Sequence, residues 1–100
     1  MVSIHHYTIE NVKIEFMNRR ERIISLLTQE FSPSRLEVVD DSASHAGHSG
    51  ASPSGETHYH VVIEAAFFKE MTPVKRHQAI YTVLDGEFKS GLHALAIRAN

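Results

Sequence analysis

The stretch from Ser42 to Glu56 reads SASHAGHSGASPSGE: fifteen residues with five serines, three glycines, one proline and no large apolar side chain. Such a segment buries too little apolar surface to offset the entropy lost on ordering it, so it has to run over the surface as a loop. It divides a chain of one hundred residues, which has room for a single hydrophobic core. That core must therefore be assembled from the segments on either side. Loops of this length are uncommon in small domains and often carry function.

The flanking segments are periodic. Asn18 with Glu21 three residues on fits a capping box, and Ile23, Ile24, Leu27 and Phe31 recur at helical spacing until Pro33. This predicts a helix over 18–30. Arg35 to Asp41 (RLEVVDD) alternates as a short strand. Thr57 to Ala65 (THYHVVIEA) is the clearest strand, with Tyr59, Val61 and Ile63 on one face and His58, His60, Val62 and Glu64 on the other. Phe67 to Met71 predicts a short helical turn. Thr72 then suits an N-cap with Pro73 behind it, and Val74, His77, Ile80, Tyr81, Leu84 and Phe88 form the apolar stripe of one long helix. Gly91 stands where a C-cap glycine belongs, and Leu92 to Arg98 is a last strand. Ahead of Asn18 the pattern is ambiguous: Val12, Ile14 and Phe16 alternate as in a strand, while a helix from Ile9 also fits. Residues 1–17 thus read as an N-terminal extension and 18–100 as one domain with its long loop at 42–56. The expected class is α+β, a small three-stranded sheet packed on helices.

Ten Lys and Arg against twelve Asp and Glu give a formal charge of −2, so nothing draws the whole chain toward DNA, RNA or anionic lipid. No apolar run approaches the ~20 residues of a membrane span, and the opening MVSIHHYTIENVK does not pattern as a secretory signal. No membrane association is expected. The absence of cysteine excludes a disulfide framework and any thiolate supplied by this chain, which fits a cytoplasmic compartment. There is no G-x-S-x-G elbow either, and the serines crowd into a loop where no rigid base can orient them. The chain is not expected to be an enzyme.

Histidine is the compositional excess, eight in one hundred residues. His45 and His48 lie in the loop as H-x-x-H, His58 and His60 open the strand beyond it as H-x-H, and His93 begins the last strand. Imidazole is the commonest protein metal ligand, yet no H-E-x-x-H motif is present. In the plain reading His45 and His48 are solvated, His58 and His60 decorate an exposed strand face, and His77 is a partly buried core imidazole with a hydrogen-bond partner. His93, among Leu92, Ala94 and Leu95, is either a satisfied core residue or a positioned ligand. Zinc or nickel binding by His45, His48, His58 and His60 is another reading. Gly47 to Gly50 (GHSG) matches the bare G-x-x-G of the KH module, but it lies between predicted strands and has no basic neighbour. Lys69, Lys75, Arg76 and Lys89 flank the C-terminal helical segments, superficially like a helix-turn-helix; such charges usually solvate a helix face.

RLEVVDDS, HAGH, GETHYHVVI, VKRHQAIYTVLDGEF and GLHALAIRA, in that order and spacing, resemble the BolA-like proteins from about Asn18 to Ala99. The Arg76-His77 pair and the GLHALAI ending carry the most specific likeness. The resemblance implies a class II KH-like topology, α-β-β-α-α-β, without a working KH clamp. It also implies a role as partner of monothiol glutaredoxins of the Cys-Gly-Phe-Ser type. The two proteins would share a bridging two-iron, two-sulfur (2Fe-2S) cluster, with glutathione, in cluster trafficking or iron regulation. Carried onto this chain, the ligand at the start of the last strand is His93. The second comes from the loop, and a cysteine-free chain resembles the His-loop subgroup, which places it at His45 with His48 as an alternate. The family's other implied role is a nucleic-acid-binding transcriptional regulator, here through Lys69, Lys75 and Arg76 on the helical face. The isolated chain is expected to be a monomer or weak dimer in the cytoplasm, or in an organelle matrix in a eukaryote.

Overall fold

Asn18 closes the capping box that starts helix α1 (Arg19–Phe31): its Oδ1 accepts from Glu21 N at 2.8 Å, and Glu21 Oε1 accepts from Asn18 N at 3.0 Å. The helix ends one residue before Ser32, which turns left-handed (φ 45°) while its N–H still reaches Thr28 O, and Pro33 cannot continue the ladder. The computed structural model describes residues 17–42 and 57–100. The expectations for the segment before Met17, for His45 and His48 and for GHSG lie outside the described residues.

Strand β1 (Arg35–Asp40) pairs antiparallel with β2 (His58–Glu64), and β2 pairs parallel with β3 (Ala94–Ala99), giving the sheet order β1-β2-β3. A parallel return needs a long crossover. Here it runs through a 3₁₀ turn (Ala66–Phe68), helix α2 (Pro73–Val83) and the short helix α3 (Asp85–Lys89). This is the α+β architecture expected from the sequence. Thr72 caps α2, its Oγ1 accepting from Lys75 N at 3.2 Å, and Pro73 occupies the first turn.

One face of the sheet meets the helices. Val38, Tyr59, Val61, Ile63 and Leu95 pack with Ile23, Leu27 and Phe31 of α1, Ile80 of α2, and Phe68, Leu84 and Leu92 of the connections. At about 1.5–3 kcal/mol for each large apolar side chain buried, this cluster is the main stabilising term. Phe68 and Phe31 meet at 4.8 Å between ring centroids.

The C-terminal half departs from the pattern in one respect. The single long helix expected there breaks at Leu84 (φ −96°, ψ 12°), and Asp85 opens a separate helical turn. Asp85 and Gly86 are weak helix formers placed together, and the break lets Leu84 stay fully buried while the chain turns toward β3. Of the predicted stripe, Ile80 and Leu84 are buried, but Val74 is 65% and Tyr81 42% exposed. Gly91 adopts φ 130°, as a helix-terminating glycine should, and a Cβ there would stand 3.1 Å from Arg19 Nη2.

Candidate functional site

Ser42, where the long loop departs, and Thr57, where it returns, are held together by a single hydroxyl. Ser42 is 4% exposed. Its Oγ accepts from Thr57 N at 2.9 Å and from His58 N at 3.1 Å, and lies 3.4 Å from Thr57 Oγ1. Asp41 N donates to His58 O at 2.7 Å, and Ser42 N donates to Asp40 Oδ1 at 2.9 Å. A small polar residue is required because two amides, of half-buried Thr57 and buried His58, converge on one acceptor, and leaving them unpaired would be costly.

The same junction positions His93. Thr57 O accepts from His93 N at 2.8 Å and from Ala94 N at 3.1 Å. The start of β3 is thereby fixed to the residue at which the loop re-enters the sheet. His93 is exposed and so is not a core residue: Leu92 and Leu95 turn into the core while the histidine stays at the surface. Its ring lies 5.2 Å from that of His58, centroid to centroid, at an interplanar angle of 50°.

His58 is not the surface decoration expected of it. It is 7% exposed, at the head of the central strand, where its carbonyl accepts from Asp41 N and it stands in register with Ala94 of β3. Its Nδ1 shares a hydrogen bond with Thr57 Oγ1 at 2.9 Å. His60, on the same face, is exposed as expected. Among the described residues no group of three or more His, Cys, Asp or Glu side chains is placed to hold a metal ion. What the described residues offer is a pair of imidazoles beside the pinned ends of the loop that carries two more. His77 is half-buried, as expected, but its ring makes no hydrogen bond to another described residue, in contrast to the partner anticipated for it. Its place on the flank of α2 gives it access to water in exchange.

The basic residues fall into two kinds. Lys69 and Lys75 are exposed near the start of α2. Arg76 is half-buried, and its guanidinium donates to Phe68 O at 2.9 Å and to Ala99 O at 3.0 Å. Lys89 Nζ sits 2.9 Å from Asp85 Oδ2; the hydrogen bond and the opposite charge hold its pKa above the ordinary lysine value.

The roles of Ser42 and His58 are not legible in the local sequence. Ser42 reads as the first residue of a polar loop, and nothing local distinguishes it from the four serines that follow. The contact between His58 and His93 depends on the parallel register of β2 and β3, thirty-odd residues apart, which periodicity does not encode.

A family model described as BolA-like protein matches residues 27–100. The chain is 45% identical over 86 residues to SufE-like protein 1, chloroplastic/mitochondrial, of Arabidopsis thaliana, an alignment that covers 82% of this chain and 23% of that protein. The chain therefore spans about a quarter of that relative's length. It is 38% identical over 78 residues to the DNA-binding transcriptional regulator BolA of Escherichia coli, covering 78% of this chain and 70% of the relative. Among solved structures, the BolA domain of SufE1 from Arabidopsis thaliana superposes with a TM-score of 0.76 at 45% identity, covering 85% of this chain and 93% of that one.

Proposed function

The chain belongs to the BolA-like family, and from that premise we propose that it is a non-enzymatic partner of a monothiol glutaredoxin, with which it shares a bridging two-iron, two-sulfur cluster. The observation that carries this reading is the placement of His93. An exposed imidazole stands at the junction where both ends of the histidine-bearing loop are pinned.

The donor set is the second support. A chain without cysteine can hold iron–sulfur only if thiolates come from elsewhere, and glutaredoxin with glutathione supplies them. The contribution of this chain would be imidazole, from His93 and from His45, with His48 as the alternate. The cluster is cargo. Imidazole in place of thiolate raises the potential of such a cluster, as in Rieske centres. The reading asks only for a compartment that holds a monothiol glutaredoxin and glutathione. No helix among the described residues is long and apolar enough to cross a membrane.

An anaerobic titration of cluster-loaded monothiol glutaredoxin with this chain, in the presence of glutathione, tests the reading. The expected result is a one-to-one complex with a visible circular dichroism spectrum different from that of the glutaredoxin alone. An unchanged spectrum at saturating chain would contradict it.

A second reading has its own observation: the Escherichia coli relative is named a DNA-binding transcriptional regulator. Lys69 and Lys75 would then be the phosphate contacts on the helical face, with Arg76 contributing only through the carbonyls it ties together. That reading expects duplex binding by the apo chain, weakening steeply with salt and losing about one unit of salt slope for each lysine neutralised.

A further inference from the structure

Burying an imidazole is unfavourable unless its polar atoms are satisfied, and a phenylalanine would fill the same space without that demand. His58 is nevertheless buried at the head of the central strand, 7% exposed. Thr57 Oγ1, at 2.9 Å from its Nδ1, fixes the plane of its ring. Its backbone N–H is held by Ser42 Oγ at 3.1 Å and its carbonyl accepts from Asp41 N at 2.7 Å. Position, plane and backbone of His58 are therefore all set by the loop junction. Against this immobilised ring lies that of His93, at 5.2 Å and 50°. Because Thr57 O also holds His93 N, the two histidines share one anchoring residue, by its carbonyl on one side and its hydroxyl on the other.

We propose that His58 is a positioning residue for His93: the buried ring, oriented by Thr57 Oγ1, sets the orientation of the exposed imidazole. The inference deepens the cluster-sharing reading and rests on it for its purpose, but the positioning itself is a property of the apo chain. Groups that orient a ligand without touching the metal typically change affinity about 10- to 100-fold, and the same scale is expected here.

The test uses the full chain with His58→Ala, His58→Phe and Thr57→Val. In the apo chain, ring nitrogen and carbon resonances of His93 report its orientation and mobility. In the mixed complex with glutaredoxin, the visible spectrum and its rate of decay on transfer to an acceptor report the cluster. His58→Ala is expected to shift and narrow the His93 ring signals and to speed cluster loss about 10- to 100-fold. His58→Phe, which keeps a ring but not the Nδ1 bond, and Thr57→Val, which frees that bond, are expected to fall between wild type and His58→Ala. A purely structural role would lower the melting temperature and leave both the His93 signals and the spectrum of the complex unchanged; that result overturns the proposal. If His58→Ala does not fold, the other two variants decide. If wild-type chain forms no shared cluster, the cluster reading fails on that ground, and the His93 resonances of the apo variants still judge the positioning.

Discussion

Arg19 and Glu87 stand sixty-eight positions apart in the chain and meet at 2.9 Å, both almost wholly buried, where the start of α1 crosses α3. Arg22 grips the same carboxylate, Nε to Oε2 at 2.9 Å and Nη2 to Oε1 at 3.1 Å, while Arg19 also donates to Glu87 O, Ser90 Oγ and Ser90 O. The pair is a clasp: it fixes α3, and through Ser90 and Gly91 the approach to His93, against the first helix.

Removing one partner of a buried ion pair leaves the other charge uncompensated, at about 3–5 kcal/mol. Glu87→Ala is therefore expected to lower stability by that amount, read from the midpoint of urea unfolding at unchanged slope. The double change Arg19→Met with Glu87→Leu is expected to cost much less than Glu87→Ala alone, because no isolated charge then remains buried and Arg22 can turn to water. Equal losses in the single and double variants would contradict this account.

Arg76 ties the first turn of the crossover to the far end of β3, holding Phe68 O and Ala99 O with one guanidinium. Hydrogen bonds to a charged group are worth about 1.5–3 kcal/mol each, so Arg76→Ala should destabilise by at least one such bond. Arg76→Lys, which cannot span both carbonyls, should recover only part. Lys69→Ala and Lys75→Ala, at exposed positions, should stay within about 0.5 kcal/mol of wild type. Thermal unfolding of the four variants side by side checks the contrast.

Much of this was legible in the sequence, and the reason is local chemistry. Asn18 and Glu21, Thr72 and Pro73, and the stop at Pro33 act over three or four residues, and each performs in the structure the role its spacing predicts. His93 could be singled out, and the family resemblance that ranked it is matched by relatives of known name. The strand order and the parallel register of β2 with β3 were not legible, because they arise from the crossover. The contact of His58 with His93 follows from that register and was hidden with it, while the convergence of Ser42 and Thr57 follows from the antiparallel pairing of β1 with β2 across the long loop. Glu87 reads as one more surface carboxylate on a helix until α1 is laid across it. The break at Leu84 is hidden for a related reason, since the apolar stripe runs through it without a change of period.

Ser42 gives a prediction on the loop junction. Ser42→Ala removes the acceptor shared by Thr57 N and His58 N, and leaving buried donors unpaired costs about 1–3 kcal/mol. Native-state hydrogen exchange should show the loss concentrated at the Thr57 and His58 amides, with the amides of α1 exchanging as before relative to the new global stability. A uniform change across the chain would mean that the hydroxyl does not hold the loop ends.

His93 bears the central claim, and its removal tests that claim most directly. The measurement is visible circular dichroism of an anaerobic one-to-one mixture of His93→Ala chain with cluster-loaded monothiol glutaredoxin and glutathione, set beside the wild-type mixture. The account predicts that the spectrum distinctive of the wild-type mixture disappears and that of the glutaredoxin alone returns, while far-ultraviolet dichroism shows the variant folded. A folded His93→Ala chain that gives the wild-type mixed spectrum would contradict it.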